Sequence, residues 1–381
     1  MILTSANVAD YLLEKDLCQS QTDKLQIKLI AAKNFNLLVT FEDGQQLLVK
    51  QERHNKEGKT ANEFQHEWQI QDFVTQFSKL ENLRSLLPII LDYDRDNSII
   101  VFRYLNNYRD VSDFYTKENA FPIEIASSIG NAIANIHRAT FDNQKYQDFF
   151  STVSSASNQV KHLGEGLERI TPEIFSVVPA DGLKFFALYQ RYDSLGKAIA
   201  ELGNAFTPSC LTHNDLKLNN ILLHNDWSQA EQNAIRLIDW ERSGWGDPAF
   251  DLGTLIASYV QIWLSSLVIS SSLRIDESLK LATIPLEMLQ PTIANLTISY
   301  LEAFPEIIAQ RPDFLLRTVQ NAGFVLIMNI QAMIQYQKSF GNMGIGMLQV
   351  AKSLLCRPER SMPTLFGAYS PKISQFQPSA V

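Results

Sequence analysis

Apolar and polar residues alternate over short runs in the first hundred positions, which is the pattern of half-buried β-strands. Strands are predicted in KLQIKLIAA (24–32), and a hairpin in NLLVTFEDGQQLLVKQE (36–52), where Asp43-Gly44 supplies the turn. A further strand pair is predicted in LPIILDYDRDNSIIVFRYL (87–105). The segment 60–77 between them repeats large apolar residues at helical spacing, so it predicts one helix packed on these strands.

The pattern changes to helical spacing after Tyr104. An amphipathic helix is predicted in FPIEIASSIGNAIANIHRATF (121–141), and residues 142–209 are expected to be mostly helical. A short strand follows in AIRLID, and helices dominate again from Asp251 to about residue 356. The tail after Arg357 contains four prolines, so we expect an irregular arm there.

Composition narrows the class of protein. The chain has 381 residues, 45% of them hydrophobic, and a net charge of −8, which argues against a nucleic-acid partner. Its three cysteines lack metal-ligand spacing, and the N-terminus lacks a signal sequence, so we expect a cytoplasmic protein. Residues 252–273 carry no charge, but serines and a glutamine interrupt them, so we expect a buried helix and no membrane span.

A polar stretch, LTHNDLKLNNILL (211–223), stands between two apolar runs. In it Asp215 precedes Asn220 by five residues, and Asp239 later ends an apolar strand. Two aspartates and an asparagine in this order are typical of phosphoryl transfer, in which one carboxylate orients the attacking hydroxyl and the other two groups hold magnesium. Oxygen ligands suit Mg²⁺, which is a hard cation.

The segments HNDLKLNN and IDWERSGWGDPAFDL resemble the aminoglycoside phosphotransferase and choline kinase-like family. The resemblance implies an α+β, two-lobed protein-kinase-like fold, with a small antiparallel β-sheet lobe carrying one main helix and a large, mainly helical lobe. The lobes are expected at residues 1–104, for nucleotide binding, and 105–381, for catalysis and acceptor binding.

The resemblance also implies residue roles. Asp215 would be the catalytic base, and Asn220 and Asp239 the magnesium ligands. Residues expected to support the catalytic loop are His137, His213, Gly246, Asp247, Pro248 and Asp251.

The family also has a strand lysine that meets the nucleotide phosphates and a helix glutamate that fixes it. Lys50 fits the first role, and Glu67 the second, with Glu63 as the alternative. ATP is expected between the lobes, with its adenine against the connector that includes Phe102 and Tyr104.

Two features depart from the family pattern. The expected nucleotide loop, Ala31 to Asn36, contains no glycine, although glycines let backbone amides approach phosphates. Lys217 resembles a lysine that meets the transferred phosphate in protein kinases, which leaves a Ser or Thr of a peptide open as acceptor. Glu241 could touch the metal or the acceptor, or be a surface acid.

The resemblance therefore implies an Mg²⁺-dependent kinase that moves the γ-phosphate of ATP to a hydroxyl of a small molecule. A kinase of Ser or Thr in a partner peptide, and a catalytically inactive nucleotide-binding protein, are the alternatives. The partners expected are ATP and the hydroxyl-bearing acceptor.

Overall fold

The structure is a computed structural model, and it describes residues 1–18, 25–55, 57–151, 179–229, 234–268, 273, 277–278 and 281–376. The part of the predicted helical segment that spans 152–178 lies outside the described residues. The chain forms two compact units, each made from two stretches of sequence. The first unit combines 1–114 with 219–243, and the second combines 115–218 with 244–381.

A five-stranded antiparallel sheet, in the order β1-β2-β3-β5-β4, forms the frame of the first unit. Its strands are β1 Gln26–Ile30, β2 Phe35–Thr40, β3 Gln46–Gln51, β4 Ile90–Asp94 and β5 Ile99–Arg103. The β2–β3 hairpin turns at Gly44, whose positive φ of 82° suits glycine because it has no Cβ. The alternating segments thus form the strands that their pattern predicts.

A helix lies on each face of this sheet. Helix α2, Glu63–Gln76, is the predicted one, and it places Phe64 against Ile100 and Phe102. On the other face, helix α1, Val8–Glu14, buries Val8 and Leu12 against the strands. The sequence pattern did not predict α1, nor the 3₁₀ segment Ser78–Leu86.

A smaller antiparallel sheet, β6-β8-β9, completes the first unit. It contains β6 Tyr108–Asp110, β8 Ile221–His224 and β9 Ile235–Leu237. Arg236 ties it to the rest of the unit, because its guanidinium donates to the Leu87 carbonyl at 2.6 Å. This sheet carries the residues that precede Asp239 into the first unit.

The second unit is mainly helical. Its helices are α4 Ile123–Thr140, α5 Gln144–Ser151, α6 Ala180–Tyr189, α7 Asp193–Asn204, α8 Pro248–Ser265, α9 Leu286–Ala303, α10 Glu306–Gln310, α11 Phe314–Ala332, α12 Asn342–Cys356, α13 Pro358–Phe366 and α14 Ser370–Ser374. Helix α3, Val111–Glu118, begins at the end of the first unit's long segment. Two short strands, β7 Cys210–Thr212 and β10 Gly244–Gly246, pair antiparallel in the second unit.

Close packing of helices builds the core of this unit. Helix α4 packs on α9, and α8 packs on α11, which in turn packs on α12. Gly130 of α4 lies so near α9 that an added Cβ would stand 2.3 Å from the Leu296 carbonyl oxygen. Glycine is therefore required there for the two helix backbones to meet.

The expectation of an irregular arm after Arg357 is wrong, because this part of the chain forms helices α13 and α14. Pro358 and Pro371 stand in the first turns of α13 and α14, where a missing N–H costs little. Leu365, Phe366 and Ile373 are buried, and this burial holds the tail on the helical unit.

Residues 252–265 of the uncharged segment belong to α8, which is buried along most of its length. Within the described ranges, no helix has both the length and the apolar character needed to cross a membrane. Cys18, Cys210 and Cys356 are not joined to one another by disulfides.

Candidate active site

Lys50 lies on β3, on the sheet face that α2 covers. It stands opposite Asn36 of β2 and Ile100 of β5 in the sheet register. Its ammonium lies 4.0 Å from Asp239 Oδ1 and 4.9 Å from the centre of the Phe102 ring. The structure thus brings the strand lysine and the second predicted aspartate together.

Glu67 of α2 is almost fully buried, with 1% of its surface exposed. Burial raises the pKa of its carboxyl to about 6, although the Lys50 charge opposes this effect, and Asp239 raises the pKa further. The backbone amides of Asp239 and Trp240 face the carboxylate, but neither oxygen has a well-formed hydrogen bond among the described residues. Within 4.0 Å, the described ion-pair partner of Lys50 is Asp239 and not Glu67.

Asp239 occupies a backbone position that few residues tolerate. It follows β9 with φ 69° and ψ 53°, in the left-handed region that aspartate and asparagine enter more readily than most residues. The next residue, Trp240, is buried and donates from its indole Nε1 to the Leu237 carbonyl at 2.9 Å. The buried indole therefore fixes the turn that presents the Asp239 carboxylate.

Asn220 lies beside the strand that leads to Asp239. Its carbonyl accepts a hydrogen bond from the Ile238 amide at 2.9 Å, next to the paired residues Ile221 and Leu237. Its side chain is buried. Asn220, Asp239, Lys50 and Glu67 together are called the Lys50 cluster below.

A second group of charges adjoins this cluster. Glu241 lies two residues after Asp239, and burial raises the pKa of its carboxyl to about 7, with further contributions from Asp239 and Glu63. Lys33 binds Glu63 directly and lies 3.5 Å from Glu241 Oε1. Glu63, the alternative to Glu67, therefore pairs with Lys33.

These residues fit a nucleotide-bound magnesium ion. Burial is the main cause of the raised pKa values of Glu67 and Glu241, and the Asp239 charge adds to both, so a cation at this place would favour their charged forms. No cluster of three or more His, Cys, Asp or Glu among the described residues is arranged as a metal site. Mg²⁺ is usually held by only one or two protein carboxylates plus phosphates, so the absence of such a cluster is compatible with the prediction of Asp239 and Asn220 as its ligands.

The expected nucleotide loop is shorter than predicted. Phe35 and Asn36 belong to β2, so only residues 31–34 connect β1 to β2. Asn34 donates from Nδ2 to Glu63 Oε2 at 3.4 Å, and Lys33 binds the same carboxylate. The loop is therefore a tight hairpin attached to the start of α2 through Glu63.

The connector residues have two different environments. Phe102 is buried in the core under α2, whereas Tyr104 is 39% exposed. Tyr104 lines a cavity of about 520 Å³ with Asp43, Gln46 and Arg103. Tyr104 is therefore accessible to a ligand, whereas Phe102 contributes mainly to the core beneath Lys50.

Asp215 and Lys217 lie in the second unit, in the loop after β7. The Lys217 ammonium stands 2.8 Å from Asp215 Oδ1. The Asp215 side chain is 13% exposed and that of Lys217 is 47% exposed. The half-exposed lysine side chain thus covers a carboxylate that is itself mostly buried.

Asp251 of α8 holds this loop in place, as the resemblance implied. Its carboxylate accepts from the His213 amide at 2.7 Å and from the Asn214 amide at 2.9 Å. His137 Nε2 lies 3.2 Å from the same carboxylate, and His137 Nδ1 lies 2.9 Å from the Tyr300 hydroxyl. A buried chain of polar groups therefore sets the backbone just before Asp215.

Asp247 provides a second support. Its side chain caps α8 by accepting from the Ala249 amide at 2.9 Å, and it accepts from the Thr207 amide at 3.0 Å. Arg311 pairs with it at 2.5 Å. At Gly246 an added Cβ would stand 2.1 Å from Thr212 Oγ1, so glycine lets β7 and β10 approach.

Three residues of these networks were missed from the sequence. Lys33 lies in the expected nucleotide loop, but no motif in that loop indicates a role for its charged side chain. Tyr300 and Arg311 lie in helical sequence that contains no motif. Only the fold brings Tyr300 to His137 and Arg311 to Asp247.

Comparison with known proteins gives one family. The model of the phosphotransferase enzyme family, APH, matches residues 27–271. A 4-hydroxytryptamine kinase of Psilocybe cyanescens is 26% identical over 199 residues, which cover 49% of this chain and 51% of that protein. The chain thus spans about half the length of this curated relative.

Solved structures show the same fold. A glucosamine kinase in complex with glucosamine, ADP and inorganic phosphate aligns with a TM-score of 0.53 and 15% identity, over 96% of this chain and 89% of that one. The ADP-bound aminoglycoside phosphotransferase APH(2'')-Ib aligns with a TM-score of 0.51 and 14% identity, over 92% and 99%. The predicted protein-kinase-like fold is confirmed.

Proposed function

The chain belongs to the APH family of phosphotransferase enzymes, and we propose that it is an ATP-dependent kinase acting on a hydroxyl group of a small molecule. The Lys50–Asp239 pair carries this proposal. An ammonium 4.0 Å from a carboxylate, beside the buried Asn220, provides both a phosphate-binding cation and a magnesium-binding pair. A protein that had lost catalysis would have no need to keep all of these groups.

Residues of the Lys50 cluster would hold the nucleotide. Asn220 and Asp239 would bind magnesium, which neutralises phosphate charge when it is present. Lys50 would place its ammonium on phosphate oxygens, and the buried Glu67 would limit the positions that this ammonium can take. The base would lie against the connector at the exposed ring of Tyr104.

Asp215 would orient the acceptor hydroxyl and receive its proton. The acceptor oxygen forms the new bond to the γ-phosphorus, and the bond from that phosphorus to the oxygen retained by ADP breaks. Lys217, at 2.8 Å from Asp215, would stabilise the charge on the transferred phosphoryl group. The hydrogen bonds from Asp251 keep the loop backbone in one conformation, which favours this positioning role.

The acceptor we favour is a small molecule that carries both a hydroxyl and an amine. The curated relative is a 4-hydroxytryptamine kinase, and the net charge of −8 suits a cationic substrate. None of the compared proteins is named for a peptide substrate. Three cysteines that form no disulfide with one another also fit a reducing compartment such as the cytoplasm.

A transfer assay with γ-labelled ATP and Mg²⁺ tests the proposal. The panel should contain 4-hydroxytryptamine, glucosamine, choline and an aminoglycoside, with Ser- and Thr-containing peptides as the competing class. We expect labelled product with at least one hydroxylated amine and none with the peptides. Tight MgATP binding with no product from any acceptor would favour the inactive nucleotide-binding alternative, and product from peptides would replace the small-molecule acceptor.

A further inference from the structure

The four-residue β1–β2 connection cannot cradle phosphates as a glycine-rich loop does. Residues 31–34 contain no glycine, and they join two paired strands directly. In a glycine-rich loop, backbone N–H groups approach the phosphates because no Cβ stands in the way. This connection therefore favours a side chain over backbone amides as the phosphate ligand at this end of the sheet.

Lys33 is the cationic side chain in this connection. It binds Glu63 of α2 and lies 3.5 Å from Glu241 Oε1, two residues after Asp239. An ammonium has three N–H donors, and these two carboxylates, one hydrogen-bonded and one ion-paired at 3.5 Å, can occupy at most two of them. The side chain is 62% exposed, so the remaining donor is accessible to a ligand.

Resting on the proposed function, we propose that Lys33 is a phosphate-binding residue, whose ammonium binds the polyphosphate of the nucleotide in place of backbone amides. Glu63 and Glu241 then act as positioning residues that hold this ammonium beside the Lys50 cluster. Asn34 strengthens the arrangement by donating to the second oxygen of Glu63 at 3.4 Å.

A purely structural role for Lys33 gives a different expectation. An exposed ion pair contributes little to folding, so loss of Lys33 should leave unfolding by urea almost unchanged. If Lys33 only anchored the hairpin, its removal would disturb every ligand of the unit equally. Phosphate binding instead predicts a loss that depends on the number of phosphates.

Calorimetric titration of the whole chain with MgATP, MgADP and adenosine separates these roles without measuring turnover. We expect Lys33→Ala to weaken MgATP and MgADP roughly tenfold, the scale of one charge-assisted hydrogen bond, and to leave adenosine unchanged. Lys33→Arg should restore most of the affinity. The control is Lys59→Ala, which removes another exposed, ion-paired lysine and should behave as the wild type.

Glu63→Gln gives a second measurement, because it removes an anchor and keeps the ammonium. We expect it to retain most of the MgADP affinity. Equal losses for adenosine and MgADP in Lys33→Ala, no loss at all, or a loss in Glu63→Gln larger than in Lys33→Ala would each overturn the inference. Failure of the wild type to bind MgATP would instead overturn the proposed function, and this inference with it.

Discussion

Asp215 owes its position to the backbone on its N-terminal side. The amides of His213 and Asn214 both donate to Asp251, so the loop keeps its shape independently of the Asp215 carboxylate. A substitution of Asp215 should therefore leave the backbone support of the loop intact.

We expect Asp215→Asn to lower kcat roughly a hundredfold or more, since an amide cannot take the hydroxyl proton. MgATP affinity should stay within about a factor of two or three, because the Lys50 cluster is untouched. Steady-state kinetics with the best acceptor and calorimetry with MgATP measure the two quantities. Asp226→Asn, in an exposed turn, is the control, and an Asp215→Asn enzyme with normal kcat would remove Asp215 from the mechanism.

Glu67 predicts a pH effect on stability. Burial raises its pKa from 4.5 to about 6 in the folded protein, so its stabilising contribution is full below pH 4.5 and is lost as pH rises through 6. We expect Glu67→Gln to gain about 2 kcal/mol in unfolding free energy relative to wild type between pH 4.5 and pH 7. Urea unfolding in metal-free buffer without nucleotide measures this difference.

Glu57→Gln, which changes an exposed glutamate, should show no such pH dependence. An equal difference between wild type and Glu67→Gln at both pH values would mean that the surroundings do not raise the pKa of Glu67.

The spacing of Asp215, Asn220 and Asp239 could be predicted from sequence, because the motif is local. The pairing of Lys50 with Asp239 could not, because it depends on where the fold places two side chains that are far apart in sequence.

At the scale of elements, the contact between α4 and α9 depends on a missing side chain. We expect Gly130→Ala to lower the unfolding free energy by about 1–3 kcal/mol, because its Cβ would meet a backbone carbonyl that cannot move alone. Gly196→Ala in α7, where a Cβ meets nothing within 4 Å, should instead stabilise by roughly 0.5–1 kcal/mol. Urea unfolding of both variants tests the contrast, and equal effects would contradict it.

Strands and long helices could be predicted because one face of each is buried, which leaves a period in the sequence. Helix α1 has only seven residues, too few for a period to stand out. The tail differs from the expectation because Pro358 and Pro371 stand in the first turns of helices, where a proline does not break the helix. Context along the helix, not composition, decides what a proline does.

At the scale of the whole molecule, each compact unit is assembled from two separate stretches of chain. Residues 219–243 bring β8, β9 and Asp239 to the unit that contains Lys50. The change in hydrophobic pattern predicts a boundary at residue 104. A pattern along the sequence cannot show that residues 219–243 join the unit that contains residues 1–114. Three-dimensional pairing with β6 supplies that information.

A fragment of residues 1–104 should therefore lack magnesium-dependent nucleotide binding, because Asn220 and Asp239 are absent from it. A second fragment, with residues 1–114 joined by a flexible linker to 219–243, should recover part of that dependence. Calorimetry with ADP, with and without Mg²⁺, compares the two. Full magnesium-dependent affinity in the shorter fragment would show that Asp239 takes no part in binding.

The left-handed backbone at Asp239 restricts how this position can drift during evolution. Asparagine and glycine accept that conformation, whereas branched and bulky residues strain it. A descendant that abandons chemistry while keeping the fold should therefore carry asparagine or glycine here more often than alanine or valine. The residue type at position 239 in related sequences would therefore help to identify relatives that have lost catalysis.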